Sequence, residues 1–372
     1  MRVLLLFLTM AVTGLAQTQT PATPAPKTSP APEPVLTWHD VTKWGAEGRG
    51  WVNAERLRWF DRFPAAAQGR VPPKVWDLSR DSAGMVVRFK TDARTIWAHY
   101  VLRNPHLAGA NMTAIGASGI DLYARDGEGK WRWAGVTRPG TKEVRQAIVS
   151  GLAPGLREYA AYLPLYNGPD SLEIGVPAGA AFEGLAPRTE RPIVFYGTSI
   201  THGASASRPG MVHTAILGRK FDRPVINLGF SGNGKMEAEV TKFLAEIDAA
   251  IFVIDCLPNM NAAEVTERTE PCVRTLRAAH PKTPILLVED RNFPSGFLIR
   301  SRREHNASSQ AALRAAYQRL VDAKTGNLHY LEGALLLDPD GEDTTDGSHP
   351  SDLGFVHHAR AFERVLRPLL TP

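Results

Sequence analysis

Two hydrophobic rhythms divide the chain. Between residues 35 and 187, short apolar–polar alternations recur about every ten residues, as at 85–89, 95–100, 120–123 and 130–133. Turn sequences such as Asp126-Gly127-Glu128-Gly129 separate them. A period of two with little helical period predicts an antiparallel β-sandwich, and the expected domain is jelly-roll-like. All eight tryptophans fall between Trp38 and Trp133, and the expectation is that most fill the core of this sandwich. Past Pro187 the rhythm changes. Unbroken apolar runs at 193–196, 225–228, 250–254 and 285–288 read as buried parallel strands, and 236–247, 262–279 and 310–323 read as the helices between them. Alternation of that kind predicts a doubly wound α/β domain over 190–372. In such a sheet ligands bind beyond the carboxyl ends of the strands, so the loops there are where chemistry is sought.

The first residues belong to neither pattern. Met1-Arg2 precedes an apolar run over 3–15 that ends Gly14-Leu15-Ala16-Gln17. A basic start, a short apolar stretch and small residues before a polar one read as a signal peptide, 1–16. The run is shorter than the roughly 20 residues a membrane helix needs, so stable membrane insertion is not expected. Residues 17–34 (QTQTPATPAPKTSPAPEP) read as a Pro/Thr-rich linker. The expected location is secreted or periplasmic. With 43% hydrophobic and 22% charged residues, the 372-residue chain is globular. Its formal charge of +5 comes without a long Lys/Arg run, which argues against nucleic acid as a partner. Cys256 and Cys272, the two cysteines, exclude a disulfide scaffold and a multi-cysteine zinc module. Two unpaired buried thiols are favoured, with a disulfide left open. No cofactor and no metal is implied.

The strand-end loops carry the candidate chemistry. Gly197-Thr198-Ser199-Ile200 follows the first run of the α/β half, and a serine there, taken alone, reads as a helix cap. Gly229-Phe230-Ser231-Gly232-Asn233-Gly234 follows the second, where glycines let backbone N–H groups approach a ligand. This loop continues to Lys235 with phosphate-loop spacing, but Met236 stands where a magnesium-binding Ser or Thr is required. The third run ends at Asp255-Cys256-Leu257-Pro258-Asn259, which offers a side-chain amide. Near the end, Asp346-Gly347-Ser348-His349 sets a carboxylate three residues before an imidazole, close enough to hold Nδ1–H. Glu289 and Asp290, ending the fourth run, are candidates for a supporting role. The crowd of Asp338, Asp340, Glu342 and Asp343 reads as a solvated acidic turn, and His202 as a surface or structural residue in preference to one lining the site.

Together these blocks resemble the SGNH (GDSL-type) hydrolase family, whose serine, glycine, asparagine and Asp-x-x-His blocks occur in this order. Gly119-Ile120-Asp121-Leu122-Tyr123 is similar to the motif naming the GxDLY β-domain that precedes one subgroup. Its alternation first suggests packing through Ile120 and Leu122. Thr198 departs from a strict G-D-S signature. The resemblance implies a flavodoxin-like three-layer hydrolase fold and a serine esterase. Ser199 is its nucleophile, His349 its base and Asp346 the orienting acid, and Ser199, Gly232 and Asn259 form its oxyanion hole. An acetylated carbohydrate such as xylan, or another small ester, is the implied substrate. A short-chain carboxylesterase or lipase is the alternative, and a non-catalytic glycan-binding protein the alternative of another class.

Overall fold

Period-two alternation becomes two antiparallel sheets. The computed structural model describes residues 34–370; the expected signal peptide and the linker up to residue 33 lie outside them. Strands β1 (Leu36–Asp40), β2 (Val86–Thr91), β3 (Thr95–Leu102), β4 (Asp121–Arg125), β5 (Trp131–Val136), β6 (Glu143–Ser150), β7 (Arg157–Tyr162), β8 (Pro169–Pro177) and β9 (Phe182–Leu185) pair in the orders β1-β8-β3-β6 and β5-β4-β7-β2-β9. Every second residue of β2 and β3 is buried. Val87 and Phe89 thereby meet Ile96, Ala98 and Tyr100 in one core between the sheets.

The unbroken apolar runs become a parallel sheet. β10 (Ile193–Gly197), β11 (Val225–Gly229), β12 (Ile251–Asp255), β13 (Ile285–Val288) and β14 (Leu328–Leu331) lie in the order β11-β10-β12-β13-β14. Counted within the α/β half this is 2-1-3-4-5, the flavodoxin-like order whose switch point lies beside its first strand. Alternate residues feed two cores. Val194, Tyr196, Phe252 and Ile254 pack toward the helices Ala238–Leu244, Ala262–Ala279 and Arg300–Asp322. Ile193, Phe195, Ile251 and Val253 pack toward His213–Phe221 and Asp352–Leu370. The result is three layers. β14 and the first ten residues of helix Arg300–Asp322 escape the sequence pattern. The strand buries only its two ends, and the helix start (RSRREHNASS) buries only Asn306 and Ser309. Neither presents an apolar stripe.

From Val35 onward the chain forms one compact unit, and its two halves are stitched together. Phe63, Ala67, Val71 and Val75 leave the sandwich and join the core of the parallel sheet. In the Gly119–Tyr123 motif, Ile120 and Leu122 are buried in the sandwich as expected. Asp121 between them accepts hydrogen bonds from Arg208 Nη1 (2.8 Å), Gly210 N (2.8 Å) and Trp133 Nε1 (2.9 Å). One strand thus packs inward and docks the α/β half outward. The tryptophan expectation fails: none of the eight is fully buried, and Trp133 is 53% exposed. Alternating aliphatic, Phe and Tyr positions fill the sandwich, while Trp51 and Trp76 pack on the α/β core instead. Cys256 and Cys272 are buried and unpaired. Among the described residues no helix is long and apolar enough to cross a membrane, and no group of three or more His, Cys, Asp or Glu is placed to hold a metal ion.

Where the last helix packs on helix His213–Phe221, each contributes a buried histidine. His213 stacks on Phe355 and Phe362, with centroids at 5.8 and 5.3 Å, and neither of its ring nitrogens has a partner. His358 lies 5.6 Å away. Burial, then the charge of Arg291, pushes His358 down to about 4. The unfolded chain takes up this proton near the ordinary value of 6.5, so the stability His358 contributes is present above that pH and is lost as the pH falls toward 4. Between pH 7 and pH 5 the stability of His358→Gln relative to wild type therefore shifts in the variant's favour by about 2 kcal/mol. Urea unfolding at both pH values reads this, and a pH-independent difference would contradict it.

Candidate active site

Ser199 stands where a buried strand stops. β10 ends at Gly197, and the hydroxyl of Thr198 caps the four-residue helix Ser199–His202 by accepting from Ile200 N at 3.3 Å. Threonine therefore does the capping work of the aspartate it replaces in a strict G-D-S signature. As the first residue of the turn, Ser199 has an N–H without an intrahelical acceptor. Thr201 Oγ1 donates to the buried Asp255 at 2.9 Å and ties the turn to β12.

Ser199 Oγ lies 2.9 Å from His349 Nε2, across 150 residues of chain. His349 Nδ1 lies 2.8 Å from Asp346 Oδ2, while the backbone N–H groups of His349 and Ser348 reach Oδ1 at 2.8 and 3.0 Å. Burial raises the Asp346 carboxyl, but the N–H groups and ring of His349 outweigh it and hold Asp346 below the ordinary carboxylate range. A hydroxyl, an imidazole and an ionised carboxylate in this order can move a proton off the hydroxyl.

Arg291 fastens this loop from behind. Its fully buried guanidinium donates to the Ser348 carbonyl at 3.0 Å and to Ser348 Oγ at 2.6 Å, and pairs with Asp290. Asp290 also accepts from Asn306 Nδ2 at 2.9 Å. Asp290 thus supports the histidine loop through Arg291. Glu289 turns elsewhere, to Arg314, Tyr330 and Gly333 N. The acidic turn is not uniformly solvated. Asp343 is fully buried, bonded to His357 Nδ1 and to Asp338 N, because the chain must fold back over it before the last helix.

The other strand ends supply donors. A Cβ at Gly229 would stand 2.1 Å from His202 N, and one at Gly234 1.9 Å from the Gly197 carbonyl oxygen. Only glycine lets these loops close on each other. Gly232 differs: its φ is +69°, but nothing lies within 4 Å of where a Cβ would stand. Asn259 Nδ2 donates to the Asn233 carbonyl at 2.6 Å, which leaves its second amide hydrogen free to serve a ligand.

Ser199, Gly232, Asn259 and His349 line one cleft of ≈ 500 Å³. The sequence offered no sign of its other wall. His106, Asn111, Met112, Ala117 and Tyr166 line the same cleft, although all come from the sandwich half. Asn111 Nδ2 reaches within 3.4 Å of His349 Nδ1. His202 is structural, as expected: it is buried, with Nε2 2.8 Å from the Leu165 carbonyl.

Comparison with known proteins bears on the family and the fold. Residues 190–367 match the GDSL-like lipase/acylhydrolase family, and residues 36–182 match the GxDLY N-terminus of SGNH-hydrolase-type esterases. A Bacteroides ovatus protein described as a GDSL-like lipase is 35% identical over 90% of this chain and 98% of its own, with a TM-score of 0.86. A salicylyl-acyltransferase, SsfX3, from a tetracycline biosynthetic pathway shares the fold at 18% identity (92% and 96% covered, TM-score 0.67). So does a family two carbohydrate esterase from Cellvibrio japonicus at 13% identity (91% and 99% covered, TM-score 0.58). A search of curated proteins finds no match.

The two loop glycines give a paired test. Gly232→Ala meets open space and costs about 1–2 kcal/mol, the left-handed penalty alone. Gly234→Ala drives a methyl into a carbonyl oxygen and costs severalfold more. Equal unfolding free energies for the two variants would refute this account of the loop.

Proposed function

The chain belongs to the GDSL-like lipase/acylhydrolase family, and from that premise we propose that Ser199, His349 and Asp346 act as nucleophile, base and orienting acid of an exported carbohydrate esterase. One observation carries the roles: the unbroken run of bonds from Ser199 Oγ through His349 to Asp346. Ser199 Oγ attacks the ester carbonyl carbon, and His349 Nε2 takes the hydroxyl proton. The tetrahedral intermediate expels the alcohol, which leaves with that proton and an acyl-serine behind. Water then attacks the acyl-serine with His349 again as base, releasing the acid and restoring the serine. Ser199 N–H, Gly232 N–H and the Asn259 amide hold the negative oxygen in both halves, each donor contributing about 2.7–4 kcal/mol.

The substrate reading rests on the walls of the cleft. Its buried residues are apolar and compact, Met112, Ala117, Ile200 and Ala204, which suits a short acyl group such as acetyl. Toward solvent stand His106 and half-buried Asn111, whose polar atoms suit a hydroxyl-rich alcohol. The likeness in fold to a carbohydrate esterase fits the same choice. The basic and then apolar start of the sequence fits export toward such polymers.

Ser199→Ala abolishes fluorophosphonate labelling and lowers kcat by roughly 10³-fold or more. Asn259→Ala lowers kcat about 10²–10³-fold. Labelling and turnover that survive in Ser199→Ala would falsify the mechanism. Acetate release from acetylated xylan, set against nitrophenyl esters of increasing chain length, tests the substrate. Activity confined to acetyl esters of the sugar supports the reading, whereas rates rising with chain length on simple esters make the protein a broader carboxylesterase.

A further inference from the structure

The sandwich does more than wall the cleft. Tyr166 comes from the turn between β7 and β8, and its ring stacks on His202 of the nucleophile turn, with centroids 4.0 Å apart and planes 13° apart. Its backbone N–H bonds to the Ala117 carbonyl at 3.0 Å. So fixed, its hydroxyl lies 2.5 Å from Ser231 Oγ and 3.5 Å from the Ser199 carbonyl. Burial pushes the phenol well above its ordinary range, so it remains a hydroxyl throughout the working pH.

Ser231 is a junction. It immediately precedes Gly232, whose left-handed backbone has open space beside it. Its carbonyl accepts from Asn233 Nδ2 at 2.9 Å, and the Asn233 carbonyl in turn accepts from Asn259 Nδ2 at 2.6 Å. The stem of this loop is held separately. Buried Arg62, also from the N-terminal half, donates to the Asn227 and Gly229 carbonyls at 3.0 and 2.9 Å. Tyr166 therefore grips the tip of the loop that carries one candidate oxyanion donor and orients another.

We propose that Tyr166 is a positioning residue: through Ser231 it sets the Gly232 N–H and Asn259 amide, so the sandwich completes the oxyanion hole of the α/β half. This rests on the esterase reading above. The phenol forms no bond to substrate in the proposed role. It stabilises the transition state only by keeping two donors where the negative oxygen appears.

The test is a double-mutant cycle on the full chain with nitrophenyl acetate. Tyr166→Phe keeps the ring that stacks on His202, and Ser231→Ala approaches the same bond from its other end. Each single change lowers kcat roughly 10–100-fold, with KM within about a factor of two. The double variant loses no more than the worse single one. Affinity for an alkyl boronic acid, which binds Ser199 as a tetrahedral adduct, falls in step with kcat, while the melting temperature hardly moves. Wild-type kcat in Tyr166→Phe, a loss confined to KM, or losses that multiply in the double variant would each overturn the proposal. Full activity in Ser199→Ala instead overturns the esterase reading beneath it, so the two failures are distinguishable.

Discussion

The hydrogen bond between Ser199 and His349 joins positions 150 residues apart, and it exists only because both of its ends are immobilised independently. At the serine end a buried strand runs straight into a four-residue turn capped by Thr198 and tied to Asp255. At the histidine end there is no strand, only a loop. Its rigidity comes from three N–H groups gathered on Asp346 and from Arg291 driven up beneath Ser348. A guanidinium that is fully buried is costly to desolvate, and it is tolerated because Asp290 and the Ser348 oxygens accept its hydrogen bonds.

The relation between the halves follows the same logic. A buried carbonyl or carboxylate left without a donor is expensive, and several such groups in each half find donors in the other. Asp121 of the sandwich is satisfied by Arg208 and Gly210, and the carbonyls ending β11 are satisfied by Arg62. Separating the halves would strand these groups. The fold therefore joins a sandwich and a three-layer sheet through polar contacts, one of which holds the end of β11 from which a loop of the candidate site departs.

Much of this was legible in the residues, for reasons that differ by element. Alternation along β2 and β3 reports directly which side chains face inward. The continuous apolar runs of β10 to β13 report strands buried on both faces. Helix Arg300–Asp322 was only half legible because its first turns bury almost nothing apolar. The tryptophans misled, since bulk and hydrophobicity do not say whether an indole fills a core or flanks one.

Within the site the division is sharper. Asp346 and His349 are three residues apart, so their bond is a local fact that spacing alone could specify. The glycines at 229 and 234 likewise announce a loop of close approach through their own lack of side chains, and Gly232 a left-handed turn. Asn111, Tyr166 and Arg291 carry no such mark. Asn111 meets His349 across 238 residues, and Tyr166 meets Ser231 across 65. Such meetings leave no period or spacing in the chain, because they depend on how one packed layer comes to rest against another. The sequence alone determined the strands with a clear apolar pattern, β2 to β5 and β10 to β13, and the order of the candidate loops; only the tertiary structure decided which residues of the sandwich stand over them.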